Sequence, residues 1–156
     1  MSAVESRLAE MGLSIPEVAK PVAAYLPAVV DGRRVYTSGQ LPMRDGQLLA
    51  TGKVGESEGL LDPAAAKELA QTCALNAIAA IHGVVDDLDQ VRIVKVVGFV
   101  ASDPAFTGQP GVVNGASELL GQAFGDDGVH ARSAVGVAVL PLDAPVEVEV
   151  IAALRS

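Results

Sequence analysis

The chain has 156 residues, half of them hydrophobic, with a mean hydropathy of +0.39 and a formal net charge of −8. This size and composition predict one domain with an aliphatic core, because only 3% of the residues are aromatic and tryptophan is absent. The balance of 19 acidic against 11 basic side chains disfavours nucleic acid as a partner, since such partners require a basic stripe.

Other classes of protein are disfavoured by local features. No apolar stretch reaches the ~18 residues of a membrane span, and the opening MSAVESRLAEM lacks the apolar region of a secretory signal. The single cysteine, Cys73, allows no internal disulfide, so we expect a cytoplasmic protein in which Cys73 is an inert core residue. Two distant histidines, His82 and His130, make no metal site.

The first third of the chain predicts a helix and then hairpins. Residues 4–11 read as a short amphipathic helix that ends at Gly12. Two extended runs over about 21–41 meet at Asp31-Gly32, a strong hairpin signal. A second turn is predicted at Asp45-Gly46, before a glycine-rich loop.

The remainder predicts an alternation of helices and strands. Asp62-Pro63 is typical of a helix start with a carboxylate cap, and the helix should end near His82, before Gly83. There follow a strand from Val91, a second helix over 111–124 and two strands within 130–154. This order predicts α+β or α/β layering, with the helices covering one face of the sheet. The other face would stay apolar and bare, so we expect oligomerisation through the sheet.

Charged residues interrupt the last two apolar strands. Arg132 shares a strand face with the small residues Ala134 and Gly136, which leaves room beside a guanidinium and suits a bound carboxylate. Glu147 and Glu149 share the face opposite the valines of the final strand. The alternatives are a structural salt bridge from Arg132 across a subunit interface, to a glutamate for example, and a solvated strand face for the two glutamates.

Three segments together carry a family resemblance. They are Tyr25 followed by the Ser38-Gly39-Gln40 of TSGQLP, then Val113-Asn114, then ARSAVGVAVLPLDAPVEVEVIA. Over about residues 21–154 the chain resembles the Rid family (YjgF-type, also called endoribonuclease L-PSP), which includes imine deaminases. Its longer loops resemble a branch of that family with no agreed substrate.

The resemblance implies an architecture and an activity. It implies a chorismate-mutase-like α+β subunit, with two helices packed on one face of the sheet, assembled as a homotrimer with clefts between subunits. Residues 1–20 would be an N-terminal helical extension and 21–156 a single Rid-like domain. The implied activity is hydrolytic deamination of reactive 2-imino or 2-enamino acids, without a metal or cofactor, so the expected partner is a small molecule that bears a carboxylate.

The resemblance also implies roles for individual residues. Arg132 would grip the substrate carboxylate, and Glu147 would orient or activate water. The cleft would be shaped by Tyr25, Ser38, Gly39 and Asn114, and by Ala134, which stands where deaminases often have a cysteine thought to act through its backbone carbonyl. Three of the residues that would shape the cleft have a structural alternative: a buried tyrosine for Tyr25, turn chemistry for Ser38 and a helix cap for Asn114.

Two rival functions follow from the same residues. A non-catalytic trimer that senses a small carboxylic acid or amide would keep the role of Arg132 but not that of Glu147. Ribonuclease activity, often attached to the family name, is disfavoured by the net charge of −8.

Overall fold

The computed structural model describes residues 1–18, 20–21 and 23–155. Ala19 beside the predicted domain boundary, Val22 in the first predicted extended run and the terminal Ser156 lie outside the described residues. The main elements, in chain order, are α1 (Ala3–Glu10), β1 (Ala28–Asp31), β2 (Arg34–Thr37), β3 (Met43–Arg44), β4 (Gln47–Leu48), α2 (Pro63–His82), β5 (Val91–Ala101), α3 (Gln109–Phe124), β6 (Ala131–Val137) and β7 (Val146–Leu154).

Five of these strands form one mixed sheet in the order β1-β2-β7-β5-β6. All neighbours are antiparallel except β5 and β6, which run parallel and are connected through α3. Strands β3 and β4 form a separate small hairpin. The predicted α+β class and order of elements are confirmed.

Helices α2 and α3 pack side by side on one face of this sheet. Alternation in β7 turns Val146, Val148, Val150 and Ala152 toward the helices, where all four are buried. Small residues bring the layers close: a Cβ on Gly98 of β5 would overlap the side chain of Val113 in α3. The core is therefore aliphatic and closely packed between one sheet face and two helices.

Several local predictions hold in detail. Helix α2 begins at Pro63 and ends at His82, as the proline and the following glycine indicate. The turn between β3 and β4 places Asp45 and Gly46 at φ of 51° and 76°, the left-handed region that a two-residue hairpin loop requires.

Other local predictions need correction. The first hairpin loop is Gly32-Arg33, because Asp31 pairs with Arg34 and so belongs to the strand. Helix α3 begins at Gln109, before the predicted start, since Pro110 fits its first turn. Asp62 precedes α2, but its side chain makes no capping hydrogen bond. The first extended run is a strand only over β1.

The N-terminal helix is attached to the domain. Ser2 caps α1 together with Glu5, and the carboxylate of Asp89 accepts hydrogen bonds from the backbone N–H groups of Ala3 (2.8 Å) and Val4 (3.2 Å). Arg7 donates to the carbonyl oxygen of Ala123 at the end of α3 (3.1 Å). None of the described helices is both long and apolar enough to cross a membrane.

No described helix or strand covers the sheet face opposite α2 and α3. It exposes apolar side chains, among them Val29, Tyr36 and Val135, interspersed with Arg34 and Arg92. Apolar area of this kind is usually buried by a partner. Assembly of copies through this face stays a prediction.

The close approach of the two helices gives a test of the packing. A Cβ at Gly115 of α3 would overlap the backbone carbonyl of Lys67 in α2, so Gly115→Ala should lower the free energy of unfolding by about 1–3 kcal/mol. Gly121→Ala, on the same helix with nothing within 4 Å of its Cβ position, should instead raise it by about 0.4–1 kcal/mol. Urea denaturation of both variants measures the difference, and equal effects would contradict the packing.

Candidate functional site

Arg132 lies near the start of the edge strand β6 and contacts helix α3. Its Nη1 donates to Oδ1 of Asn114 at 2.7 Å and to Oγ of Ser117 at 3.3 Å. Its Nη2 donates to the carbonyl oxygen of Pro110 at 3.3 Å. Three points on one helix therefore hold the guanidinium.

The sheet register explains this position. Arg132 pairs with Val96 of β5, whose side chain is buried, so Arg132 projects from the helix-covered face of the sheet. Ala134 pairs with Gly98 on the same face, where α3 packs closely. Because these neighbours are small, the guanidinium lies beside the first turns of α3 without being enclosed.

The ion pairs of the described residues show whether Arg132 forms a salt bridge within one chain. Among residues 1–18, 20–21 and 23–155, the ion pairs within 4 Å are Lys53–Asp143, Lys67–Glu118 and Arg155–Asp127. No described carboxylate therefore neutralises Arg132, and its three hydrogen bonds go to neutral groups. These bonds use three of the five N–H donors of a guanidinium. Nε donates to no group in the described part of the chain, and Nε and Nη2 together form an edge of the guanidinium that can bind a carboxylate bidentately.

Asn114 and Ser117 act together on Arg132. Asn114 lies inside α3, whose N-cap is Gly108, so the predicted alternative of a helix cap is wrong. Ser117 was not among the predicted site residues, although it follows Asn114 by three positions and so shares its helix face. That spacing was the available signal. His130 also reaches Ser117, with 2.9 Å between Nε2 and Oγ.

Glu147 lies on the opposite, uncovered face of the sheet. It pairs with Phe99 of β5, and its half-buried carboxylate rests against Gly39, where any Cβ would overlap Oε1. Burial raises the pKa of Glu147, and the negative charge of Glu149 raises it further. A carboxyl with a raised pKa is better matched to proton transfer near neutral pH.

Ser38 and Tyr25 belong to the chain that runs past Gly39. The Ser38 hydroxyl donates to the carbonyl oxygen of Leu26 at 2.6 Å, which fastens the segment containing Tyr25 to the end of β2. This contact agrees with the structural alternative for Ser38. Tyr25 is 46% exposed, so the alternative of a buried tyrosine is wrong. After Gly39 the chain pairs with β7, because Gln40 and Val148 exchange backbone hydrogen bonds.

The predicted site residues thus form two groups on opposite faces of one sheet. We define the arginine half-site as Arg132, Asn114 and Ala134, and the glutamate half-site as Glu147, Gly39, Ser38 and Tyr25. Strand β5 lies between β6, which carries Arg132, and β7, which carries Glu147. One copy alone does not bring Arg132 and Glu147 into one cleft.

Neither half-site resembles a metal centre. In the part of the chain that the structure describes, no three His, Cys, Asp or Glu side chains are grouped to hold a metal ion. Cys73 is buried in α2, where burial and then the charge of Glu147 raise the pKa of its thiol well above the usual range. A thiol in that state is a core residue rather than a nucleophile.

Comparison with known proteins agrees with this architecture. The family model described as "YjgF/chorismate_mutase-like, putative endoribonuclease" matches residues 5–154. Protein TCP17 of Trypanosoma cruzi is 41% identical over 155 residues, which is 98% of this chain and 95% of that protein.

Two solved structures are informative. A "putative endoribonuclease" from Shewanella oneidensis is 32% identical, with a TM-score of 0.91, 97% of this chain covered and 99% of that one. TdcF of E. coli, determined with bound serine, is 25% identical, with a TM-score of 0.63 and coverage of 90% and 94%. The family match spans nearly the whole chain and extends into α1. The chain belongs to the YjgF/chorismate mutase-like family.

Proposed function

We propose that this protein hydrolyses reactive 2-imino or 2-enamino acids in clefts formed between two copies of the chain. The observation that carries the proposal is Arg132, which α3 holds through hydrogen bonds to neutral groups and which has no described carboxylate within 4 Å. A cation fixed in this way is suited to a small carboxylate ligand. That TdcF was determined with bound serine, itself a carboxylate-bearing molecule, supports the same ligand class.

In this proposal Arg132 binds and orients the substrate. Nε and Nη2 donate hydrogen bonds to the two carboxylate oxygens, while Asn114 keeps the guanidinium from turning. Binding through the carboxylate places the neighbouring imine carbon at a fixed distance from the opposite wall of the cleft. Orientation of this kind replaces a bimolecular encounter with an effectively intramolecular one.

In this proposal Glu147 acts as the general base and general acid of the hydrolysis. In its ionised form it removes a proton from water as the water oxygen bonds to the imine carbon, and the C=N π electron pair moves to nitrogen, which takes that proton from the Glu147 carboxyl. In the resulting carbinolamine the ionised Glu147 takes the proton of the hydroxyl group and passes it to the amino nitrogen. The C–N bond then breaks with its electrons on nitrogen, so that ammonia leaves as the C=O bond of the ketone forms. General acid–base help of this type contributes about 10²–10⁴-fold.

The cleft has to be shared between copies, because the two half-sites face away from each other in one chain. Covering the open sheet face of one copy with the β6 edge of another would bring Glu147 toward Arg132. It would also bury the apolar side chains of that face. A homotrimer, as the family resemblance implies, is one closed assembly that does this.

Two rival functions remain distinguishable. The sensing trimer would use Arg132 without proton transfer, and Ala134 in place of the usual cysteine is compatible with either function. Endoribonuclease activity comes from the names of relatives such as the Shewanella protein. It is less well supported, because a net charge of −8 opposes RNA binding.

The first test separates binding from turnover. Arg132→Ala should weaken binding of 2-oxobutyrate by at least about 30-fold and reduce the accelerated decay of 2-iminobutyrate as strongly. Glu147→Gln should keep the affinity and lose about 10²-fold or more of the turnover. Binding is measured by calorimetry and decay by generating the imine with a dehydratase.

Arg44→Ala, an exposed arginine of β3, is the matched control and should behave as wild type. Wild type that accelerates nothing, yet binds 2-oxobutyrate through Arg132, would identify the sensing trimer. Equal decay with wild type and Arg132→Ala would reject the deaminase.

Complementation tests whether the cleft is shared. Arg132→Ala and Glu147→Gln chains, each strongly impaired alone, are refolded together so that they assemble at random. If one copy supplies the arginine and another the glutamate, about a quarter of the clefts contain both intact residues, and a corresponding activity returns. Mixing the assembled variants without refolding is the control. No recovery after co-refolding would place both residues in one chain's site.

The raised pKa of Glu147 gives a prediction on pH. Glu149→Gln removes the second of its two causes, so the pKa of Glu147 should move down toward its ordinary value, while burial keeps it above that value. The acid limb of the deaminase pH profile should shift to lower pH in parallel, because Glu147 acts in its ionised form. Carbon-13 NMR of the glutamate carboxyls measures the pKa directly. Glu58→Gln, in an exposed loop, should change neither quantity, and an unmoved Glu147 would contradict the interpretation.

A further inference from the structure

A chain of hydrogen bonds leads away from Arg132 on the side opposite its remaining donors. Ser117 Oγ lies 3.3 Å from Nη1 of Arg132 and 2.9 Å from Nε2 of His130. The other ring nitrogen of His130, Nδ1, lies 2.6 Å from the carbonyl oxygen of Gly128. The chain therefore connects α3 and the start of β6 to the short 3-10 turn Gly125–Gly128.

The direction of each bond follows from the chemistry of the groups. A backbone carbonyl only accepts, so Nδ1 of His130 carries a proton and donates to Gly128. In the neutral imidazole Nε2 is then an acceptor, and it receives the hydroxyl proton of Ser117. With that proton turned toward His130, the lone pairs of Ser117 Oγ face the N–H donors of Arg132.

We infer that Ser117 and His130 are positioning residues for Arg132, an inference that rests on the proposed role of Arg132 as carboxylate anchor. His130 fixes the direction of the Ser117 hydroxyl, and Ser117 in turn accepts from the guanidinium. Without His130 the Ser117 hydroxyl can rotate and point its proton at Nη1 of Arg132. Two hydrogen-bond donors would then face each other, and the contact would be repulsive.

The second acceptor matters because one hydrogen bond does not fix a plane. Asn114 alone, at 2.7 Å from Nη1, would let the guanidinium pivot about that contact. Ser117 on the same nitrogen and the Pro110 carbonyl on Nη2 define the plane of the group. The plane determines where Nε and the remaining Nη2 donor point, and bidentate binding of a carboxylate depends on that direction.

Calorimetry with 2-oxobutyrate tests the inference on the assembled wild-type protein and its variants. Ser117→Ala and His130→Phe should each raise the Kd about three- to tenfold, the effect of one hydrogen bond. His130→Gln places an amide oxygen near the position of Nε2 and should recover most of the affinity lost in His130→Phe. The double variant S117A/H130F should bind no more weakly than Ser117→Ala, because His130 acts only through Ser117. Glu118→Gln, exposed next to Ser117 in α3, is the control.

Nitrogen-15 NMR of His130 tests the directions of these hydrogen bonds without any substitution. A protonated Nδ1 with a bare Nε2 is expected, and the opposite tautomer would overturn the inference even if His130→Phe failed to fold. Wild-type affinity in His130→Phe, or additive losses in the double variant, would also overturn it. These outcomes differ from failure of the proposed function, in which Arg132→Ala itself leaves 2-oxobutyrate binding unchanged.

Discussion

The attachment of Arg132, on the edge strand β6, to helix α3 is the interaction on which the rest of the site depends. Arg132 is fixed by a charge-assisted hydrogen bond to Asn114, 2.7 Å long, and the geometry that permits it comes from the sheet. The parallel pairing of β5 and β6 requires a crossover, and α3 is that crossover, so it lies over β6 where Arg132 emerges. Small residues at Gly98 and Ala134 let the helix come close enough for its side chains to meet the guanidinium.

A second constraint acts on the other face of the same sheet. The carboxylate of Glu147 is half-buried against Gly39 and close to Glu149, and both burial and the neighbouring charge disfavour its ionised form. Because its folded-state pKa is raised, ionising Glu147 lowers stability as the pH rises from the ordinary glutamate pKa through the folded one. A glutamine would fit the same space without that cost. A destabilised carboxylate beside a glycine is typical of a functional position.

Much of this could be predicted from the sequence, and the exceptions have physical reasons. Strand alternation placed Arg132 and Glu147 on definite faces, and Pro63 marked the start of α2, because these signals are local. The hydrogen bond between Asn114 and Arg132 could not be predicted from strand and helix patterns, because it depends on the position of α3 along β6. The packing of α3 against Gly98 determines that position. For the same reason Ser117, although on the helix face of Asn114, could not be linked to Arg132 beforehand.

The placement of the two half-sites on opposite faces of the sheet is the feature that the sequence predicts least, and it is linked to the uncovered sheet face. Sequence alternation places each residue relative to its own strand, but only the strand order β2-β7-β5-β6 shows that Arg132 and Glu147 face opposite ways. A fold that divides its reactive groups in this manner has no complete cleft as a single copy. Under the proposed function, assembly is a condition of activity, and the apolar side chains that favour association are on the same face as Glu147. The hydrophobic drive to cover that face and the chemical need to complete the site therefore favour the same arrangement.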